Sequence, residues 1–183
     1  MKRITLFALL AIILLSSCSE DVKITRKLSE DWWPIHASGS VTGDYFSATW
    51  DADLDGYGKV DVTYYDNTTP SIFYVESKYY NALSFEDDGK NFRYIDISTN
   101  DPVAGRFLRY YVKDKKIYFE LPNDTGRGSG DYDEGQDISF QGDDILKIGN
   151  VTYERFSVYY EKHLKSNGSG TSEMVRIPIT SIR

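Results

Sequence analysis

Apolar and polar residues alternate with a period of two along most of the chain. Val60, Val62 and Tyr64, for example, are separated by single polar residues. The same alternation recurs in residues 92–97, 107–112 and 117–121. A period of two is typical of strands with one buried face, and the Tyr, Phe, Val, Ile and Thr residues that dominate these segments suit a pleated surface. The pattern therefore predicts β-strands from Trp32 onward.

Short polar turns separate the predicted strands. Gly, Asp and Asn residues cluster at 87–89, 142–144 and 149–150, and a Gly/Ser-rich tip spans 166–172. Turns this short join antiparallel neighbours. No segment after Asp31 has a convincing helical period, so we expect helix only as a short turn near 28–31. We predict an all-β fold, an antiparallel up-and-down β-barrel of about nine to eleven strands, with a β-sandwich as the alternative.

Two segments lack the strand pattern. Residues 19–27 are polar and charged, which predicts a tether ahead of the folded domain. Residues 122–137 form the longest break and are rich in Gly and Asp, which predicts a mobile lid or a disordered loop. The chain has no repeats and no second domain, so we assign residues 28–183 to a single barrel domain.

The N-terminus has the pattern of an export signal. Lys2 and Arg3 precede an apolar run over residues 4–15, broken only by Thr5. A run of this length suits the core of a signal peptide and is short for a membrane-spanning helix. Leu15, two serines and Cys18 close the run. This ending resembles the lipobox of bacterial lipoproteins.

The lipobox resemblance implies processing and a lipid anchor. Residues 1–17 would be the signal peptide, Cys18 would receive the acyl chains, and residues 18–27 would join this anchor to the domain. Several acyl chains on one residue give a stable hold on a membrane. An ordinary secretory signal with a chance cysteine is the alternative.

The residues after Cys18 bear on location. Position 19 is Ser, and Glu20 and Asp21 follow. This short acidic stretch resembles the export tag of surface lipoproteins in the Bacteroidota. It implies an outer-membrane protein, with the cell surface favoured over the periplasmic side.

Composition disfavours nucleic acid as a partner. The chain has 21 basic and 28 acidic residues, a net charge of −7, which becomes −9 once Lys2 and Arg3 leave with the signal. A chain this acidic is a poor match for nucleic acid. Cys18 is the only cysteine, so once it is lipidated the fold has no disulfide to rely on.

Three segments resemble the lipocalin-like lipoproteins of the Bacteroidota. Residues 28–35, with Trp32 and Trp33, resemble the opening segment whose Trp closes the bottom of the barrel. Asp55-Gly56-Tyr57-Gly58 resembles an early hairpin, and residues 145–155 resemble the late strand pair that ends near an Arg. The resemblance implies an eight-stranded type of barrel with a cavity, and it assigns no functional residues.

One acidic segment predicts a metal site. Asp51, Asp53 and Asp55 lie at alternate positions before a Gly-containing turn, and Asp61 follows. Together with a backbone carbonyl near Tyr57, these carboxylates could converge on Ca²⁺. The segment resembles the Asp-x-Asp-x-Asp-Gly calcium loops, but its twelfth position, a Glu in an EF-hand, is apolar here. The alternative is a solvated acidic turn without metal.

The remaining features favour binding over catalysis. The chain has three Trp and fifteen Tyr, whose rings either fill the core or stack on sugars. Only two histidines occur, without a partner pattern, and no nucleophile elbow or phosphate loop is present. We therefore expect a lipid-anchored, non-enzymatic cell-envelope protein that binds a small apolar or carbohydrate ligand. The alternatives are a structural or assembly accessory of the outer membrane with protein partners, and a small glycan-active enzyme.

Overall fold

The alternating segments form thirteen β-strands in the computed structural model, which describes residues 20–69, 71–97, 101–102 and 107–164. The strands are β1 (Asp31–Thr42), β2 (Phe46–Asp53), β3 (Lys59–Asp66), β4 (Phe73–Tyr79), β5 (Ala82–Phe85), β6 (Asn91–Asp96), β7 (Asp101–Pro102), β8 (Leu108–Lys113), β9 (Lys116–Pro122), β10 (Gly128–Tyr132), β11 (Gln136–Gln141), β12 (Ile145–Ile148) and β13 (Val151–Arg155).

Eight of these strands close into an antiparallel barrel. The order around it is β1-β5-β6-β8-β9-β11-β12-β13, and β13 pairs with β1 to complete the circle. Trp32 lies opposite Arg155 at this closing pair, and it also pairs with Leu83 of β5. The all-β, barrel-type fold predicted from the alternation is confirmed.

Large side chains pack against one another in the barrel interior. Trp32, Phe92 and Leu108 are fully buried. The ring centroids of Phe92 and Phe119 are 4.6 Å apart, within the range favoured by aromatic pairs. Trp33 faces the outside of the barrel, as the alternation of a strand requires. There it packs against Phe156 and Tyr159 of a short helix, α2 (Phe156–Tyr159).

The first strand belongs to two sheets. Its first half pairs with barrel strands, whereas His36 to Thr42 pair with β2. Strands β2, β3 and β4 follow as antiparallel neighbours, and together with the second half of β1 we call them the outer sheet. One face of this sheet has its own core, in which Ala48, Val60 and Val62 are buried. The outer sheet is an excursion between β1 and β5 that the up-and-down prediction did not contain.

A helix lies across one end of the barrel. Residues 20–28 are helical and are here called α1. Lys27 bonds Asp143 in the β11–β12 turn at 2.7 Å, and the Asp21 carboxylate accepts bonds from the backbone of the β8–β9 turn. Leu28 is fully buried in the barrel core, and its carbonyl accepts a bond from Trp32 Nε1 at 3.1 Å. The prediction of a polar tether over 18–27 is therefore wrong for residues 20–27, which are docked on the barrel.

The acidic break at 122–137 and the C-terminal part also differ from prediction. Strand β10 pairs with β9 inside that break, so most of the segment is a hairpin and not a lid. After Arg155 the chain turns into α2 and then a π-helical turn, Tyr160–Leu164, where a continuing strand was expected. The signal peptide, Cys18 and the tip at 166–172 lie outside the described residues.

Candidate functional site

Exposed apolar side chains are concentrated on the outer sheet and its turns. In the residues that the structure describes, nine of the thirteen exposed large apolar side chains lie between positions 45 and 79. Tyr45 is 72% exposed, and Tyr74 is 64% exposed. Concentrations of this kind mark interaction or ligand-binding surfaces. The outer sheet is therefore the candidate location of a functional site.

A groove of about 380 Å³ lies at the end of this sheet away from the barrel. Its lining combines four aromatic rings with two carboxylates. The residues are Tyr45, Phe46, Tyr64, Asp66, Tyr74 and Glu76. We call this the aromatic groove. Its volume is at the lower end of the range for small-molecule sites.

Strand register brings the rings together. Tyr64 of β3 lies directly opposite Tyr74 of β4, so both side chains are on the same face of the sheet. The ring centroids of Phe46 and Tyr64 are 5.7 Å apart in an edge-to-face arrangement. Gly43 allows Phe46 this position, because a Cβ at residue 43 would come within 2.6 Å of the Phe46 ring.

The two turns at this end of the sheet are bonded to each other. The Asn67 side chain donates to the Gly43 carbonyl at 3.2 Å and accepts from the Ser47 hydroxyl at 2.9 Å. The Asn67 backbone N–H donates to the carbonyl of Tyr45 at 3.2 Å. These bonds fix the β1–β2 turn, which carries Tyr45, relative to the β3–β4 turn.

Asp66 is held as a charged group at the groove. Its Oδ1 accepts bonds from the Thr68 hydroxyl at 2.6 Å and from the backbone N–H groups of Thr68 and Thr69. The Thr68 hydroxyl and these two N–H groups hold the pKa of Asp66 below its ordinary value. The groove therefore carries a negative charge at neutral pH.

Glu76 is the second charged group, and it binds a lysine of the same strand. Lys78 Nζ donates to Glu76 Oε1 at 2.7 Å and lies 5.4 Å from the centre of the Tyr64 ring. The ammonium of Lys78, followed by the Tyr64 hydroxyl, lowers the pKa of Glu76. Glu76 in turn is the main cause of the raised pKa of Lys78. An ammonium therefore already lies against one ring and one carboxylate of the groove.

The carboxylates predicted to bind calcium are engaged in separate contacts. Asp51 accepts from His36 Nε2 at 2.7 Å, and Asp53 bonds His36 Nδ1 at 3.0 Å. Both are on β2, opposite the histidine on β1. These two hydrogen bonds raise the pKa of His36, the bond to Asp53 most. The two carboxylates therefore favour the protonated form of His36.

The other predicted calcium ligands lie apart from this trio. Asp55 Oδ1 accepts from the backbone N–H groups of Tyr57 and Lys59, which closes the β2–β3 turn. Asp61 accepts from the Ser77 hydroxyl at 2.6 Å and from Lys59 Nζ. In the described part of the chain no group of three or more His, Cys, Asp or Glu side chains is placed to hold a metal ion. Calcium binding stays a prediction that these contacts do not support.

The tryptophans singled out in the sequence are not in the groove. Trp32 and Trp33 are buried on opposite sides of the barrel wall, and Trp50 donates to the Tyr80 hydroxyl at 2.8 Å. Tyr57 lines a different surface pocket, of about 320 Å³, with Tyr79 and Tyr80. The sequence analysis noted the abundance of tyrosine but did not identify the individual residues of the groove. The unbroken apolar run at 73–75 could have indicated the groove. A strand without alternation carries apolar residues on both faces, so one apolar face can remain exposed.

Within the described residues, no helix is both long enough and apolar enough to cross a membrane. No protein-family model matches the chain, and no curated protein or solved structure is significantly similar to it.

Proposed function

We propose that this protein is a lipid-anchored, non-enzymatic ligand-binding module of the cell envelope. The aromatic groove is its ligand site, and a small apolar or carbohydrate ligand is the class we expect. The observation that carries the proposal is the exposure of Tyr45 and Tyr74 beside a defined groove of about 380 Å³. Large rings that are exposed in the described part of the chain are available to a ligand.

The chemistry of the groove supports this class of ligand. Ring faces offer apolar contact at little cost in side-chain entropy. The carboxylates of Asp66 and Glu76 accept hydrogen bonds from hydroxyl groups. Ring stacking together with hydrogen-bond acceptors fits a sugar as well as a compact apolar group.

The position of the groove supports presentation away from a membrane. Glu20, at the described start of α1, bonds Lys115 in the β8–β9 turn at 3.1 Å, which places it at the helix-covered end of the barrel. Cys18 is two residues earlier, at most about 7 Å of chain away. The twelve residues of β1 lead from that end to the groove, up to about 36 Å along the strand. A lipid on Cys18 would therefore hold the barrel at the outer membrane with the groove pointing away, towards the medium if the protein faces the cell surface.

A structural or assembly accessory is the second candidate. The observation that favours it is the other face of β3 and β4, where Tyr65, Phe73, Val75 and Tyr79 are all more than half exposed. A flat apolar face of this kind suits a protein partner. If the groove failed to bind any ligand, this face would become the leading site.

The proposal is tested by removing one groove ring. We expect Tyr74→Ala to weaken binding of groove ligands at least about twofold, since a ring contact contributes about 0.5–1.5 kcal/mol. Binding is measured by titration calorimetry on the full chain in a polyoxyethylene detergent. The probes are neutral oligosaccharides and 3,3-dimethylbutan-1-ol, a compact apolar alcohol.

The matched control is Tyr65→Ala, which removes an exposed ring from the opposite face of the same sheet. We expect this variant to bind as the parent does. Equal losses in the two variants, or no binding to the parent, would contradict the proposal. Thermal unfolding of both variants checks that each remains folded.

A further inference from the structure

The aromatic groove is negatively charged. Asp66 and Glu76 both have lowered pKa values and are ionised at neutral pH. Four aromatic rings line the groove beside them, and the face of an aromatic ring carries negative potential because its π-system is a quadrupole. Ring faces and carboxylates therefore act in the same direction, and they favour a positive group.

The contacts of Lys78 show that a ring and a carboxylate of the groove hold a cation. The ammonium of Lys78 is 5.4 Å from the centre of the Tyr64 ring, within the distance at which a cation and a ring attract. The same ammonium is bound by Glu76 at 2.7 Å. Ring and carboxylate thus already form half of a cation site.

The other half of the groove has the same chemistry without a lysine over its rings. Tyr45 and Tyr74 are the most exposed of the four rings. Asp66 lies on the same wall, and its three hydrogen bonds all fall on Oδ1. In the described residues, Oδ2 is therefore the oxygen left to a ligand.

We propose that the aromatic groove binds a small organic cation, whose quaternary ammonium or alkylammonium group packs against Tyr45 and Tyr74 beside Asp66. This rests on the proposed function and names the ligand class of the same site. Quaternary ammonium groups match the groove best, because they combine a charge with an apolar surface and donate no hydrogen bonds. Anionic ligands are disfavoured, because both carboxylates would repel them.

Lys78 has a specific role in this arrangement. It is an internal competitor, since its ammonium takes up the charge of Glu76 and one face of Tyr64. Removing it without removing its aliphatic stem would expose both groups to a ligand. A lysine with a purely structural role would not raise affinity for a cation when it is replaced.

The first experiment compares a cation with its neutral isostere. Choline chloride and 3,3-dimethylbutan-1-ol have the same shape, but the first carries a trimethylammonium group and the second a tert-butyl group. We expect the full chain, in the same detergent, to bind choline at least about fivefold more tightly at low ionic strength. We expect the ratio to fall as salt is added, because salt weakens the attraction of exposed charges.

The second experiment uses variants. We expect Lys78→Met to raise choline affinity about threefold to tenfold and to leave the isostere unchanged. Asp66→Asn should lower choline affinity with little effect on the isostere, and Tyr65→Ala should alter neither. Lys78→Met and Asp66→Asn keep the approximate shape of the residues they replace, so a change for choline alone in these two variants reports charge and not misfolding.

The outcomes separate this inference from the proposed function. If the isostere binds in the groove and choline binds no more tightly, the cation inference is overturned and the ligand-binding proposal stands. If neither binds, the cation inference fails, and the ligand-binding proposal fails with it when the neutral oligosaccharides do not bind either. A decrease in choline affinity on Lys78→Met would also overturn the inference, since it would make Lys78 a support of the site and not a competitor.

Discussion

The His36 side chain has partners in the structure that the sequence does not indicate. In the sequence it has no partner nearby, whereas in the fold both of its ring nitrogens face carboxylates, those of Asp51 and Asp53. The three residues meet because β1 and β2 pair in a register that places His36 opposite Asp53. Asp51 and Asp53 were noted in the sequence as carboxylates at alternate positions, but their pairing partner is fifteen or more residues away and leaves no local signal.

This trio predicts a pH dependence. The pKa of His36 should lie above 6.5 in the folded protein, and Asp53→Asn should lower it more than Asp51→Asn. Because the folded value is raised, the stabilisation from this site is fully present below pH 6.5 and is lost as pH rises through the folded pKa. NMR titration of the imidazole signals measures the shift. A His36 pKa at or below 6.5 in the parent would contradict the arrangement.

Helix α1 docks on the barrel, which the composition of its residues did not indicate. Residues 20–28 look like a polar tether, yet Ile24 and Leu28 are four residues apart and both contact the barrel core. Two apolar positions are too few to give a helical period within a charged segment. Most strands, by contrast, were predicted because every turn restarts a period of two, whereas the long excursion through the outer sheet and strand β10 within the 122–137 break were not foreseen. That excursion depends on β1 continuing past the barrel, which the pattern of a single strand does not determine.

The docking of α1 gives a stability prediction. Leu28→Ala should lower the free energy of unfolding by about 2–5 kcal/mol, because it leaves a cavity in a fully buried site. Val22→Ala, on the exposed side of the same helix, is the control and should change it by less than about 0.5 kcal/mol. Urea denaturation followed by tryptophan fluorescence measures both. Equal, small effects would mean that the helix is a tether after all.

At the scale of the whole molecule, the fold class could be predicted and the site could not. The closing contact between β1 and β13 joins segments more than a hundred residues apart, yet an antiparallel meander with many short strands has few other ways to protect its edges. The aromatic groove needs Tyr45, Tyr64 and Tyr74 from three separate segments, and tyrosine in a strand is equally common in a core. Only the pairing of β3 with β4 distinguishes the rings that remain uncovered.

The proposed attachment to a membrane is also a property of the whole molecule. We expect Cys18→Ser to abolish labelling by radioactive palmitate and to release the protein from the membrane fraction, because the serine hydroxyl does not accept the thiol-linked lipid. Ser17→Ala keeps a small residue before Cys18 and should be labelled like the parent. Labelling that persists in Cys18→Ser would contradict the anchor assignment.

The length of β1 has a further consequence for the groove's electrostatic surroundings. The potential of charged lipid headgroups decays over about 8 Å at physiological ionic strength. The strand, with twelve residues, extends for more than four times that distance at about 3.3 Å per residue. If the protein is anchored as proposed, a groove at the far end of this strand would be electrically independent of the bilayer, which would neither enrich cations there nor compete for them. On this proposal, ligand affinity would be set by the rings and carboxylates of the groove and would not change with the lipid composition of the membrane.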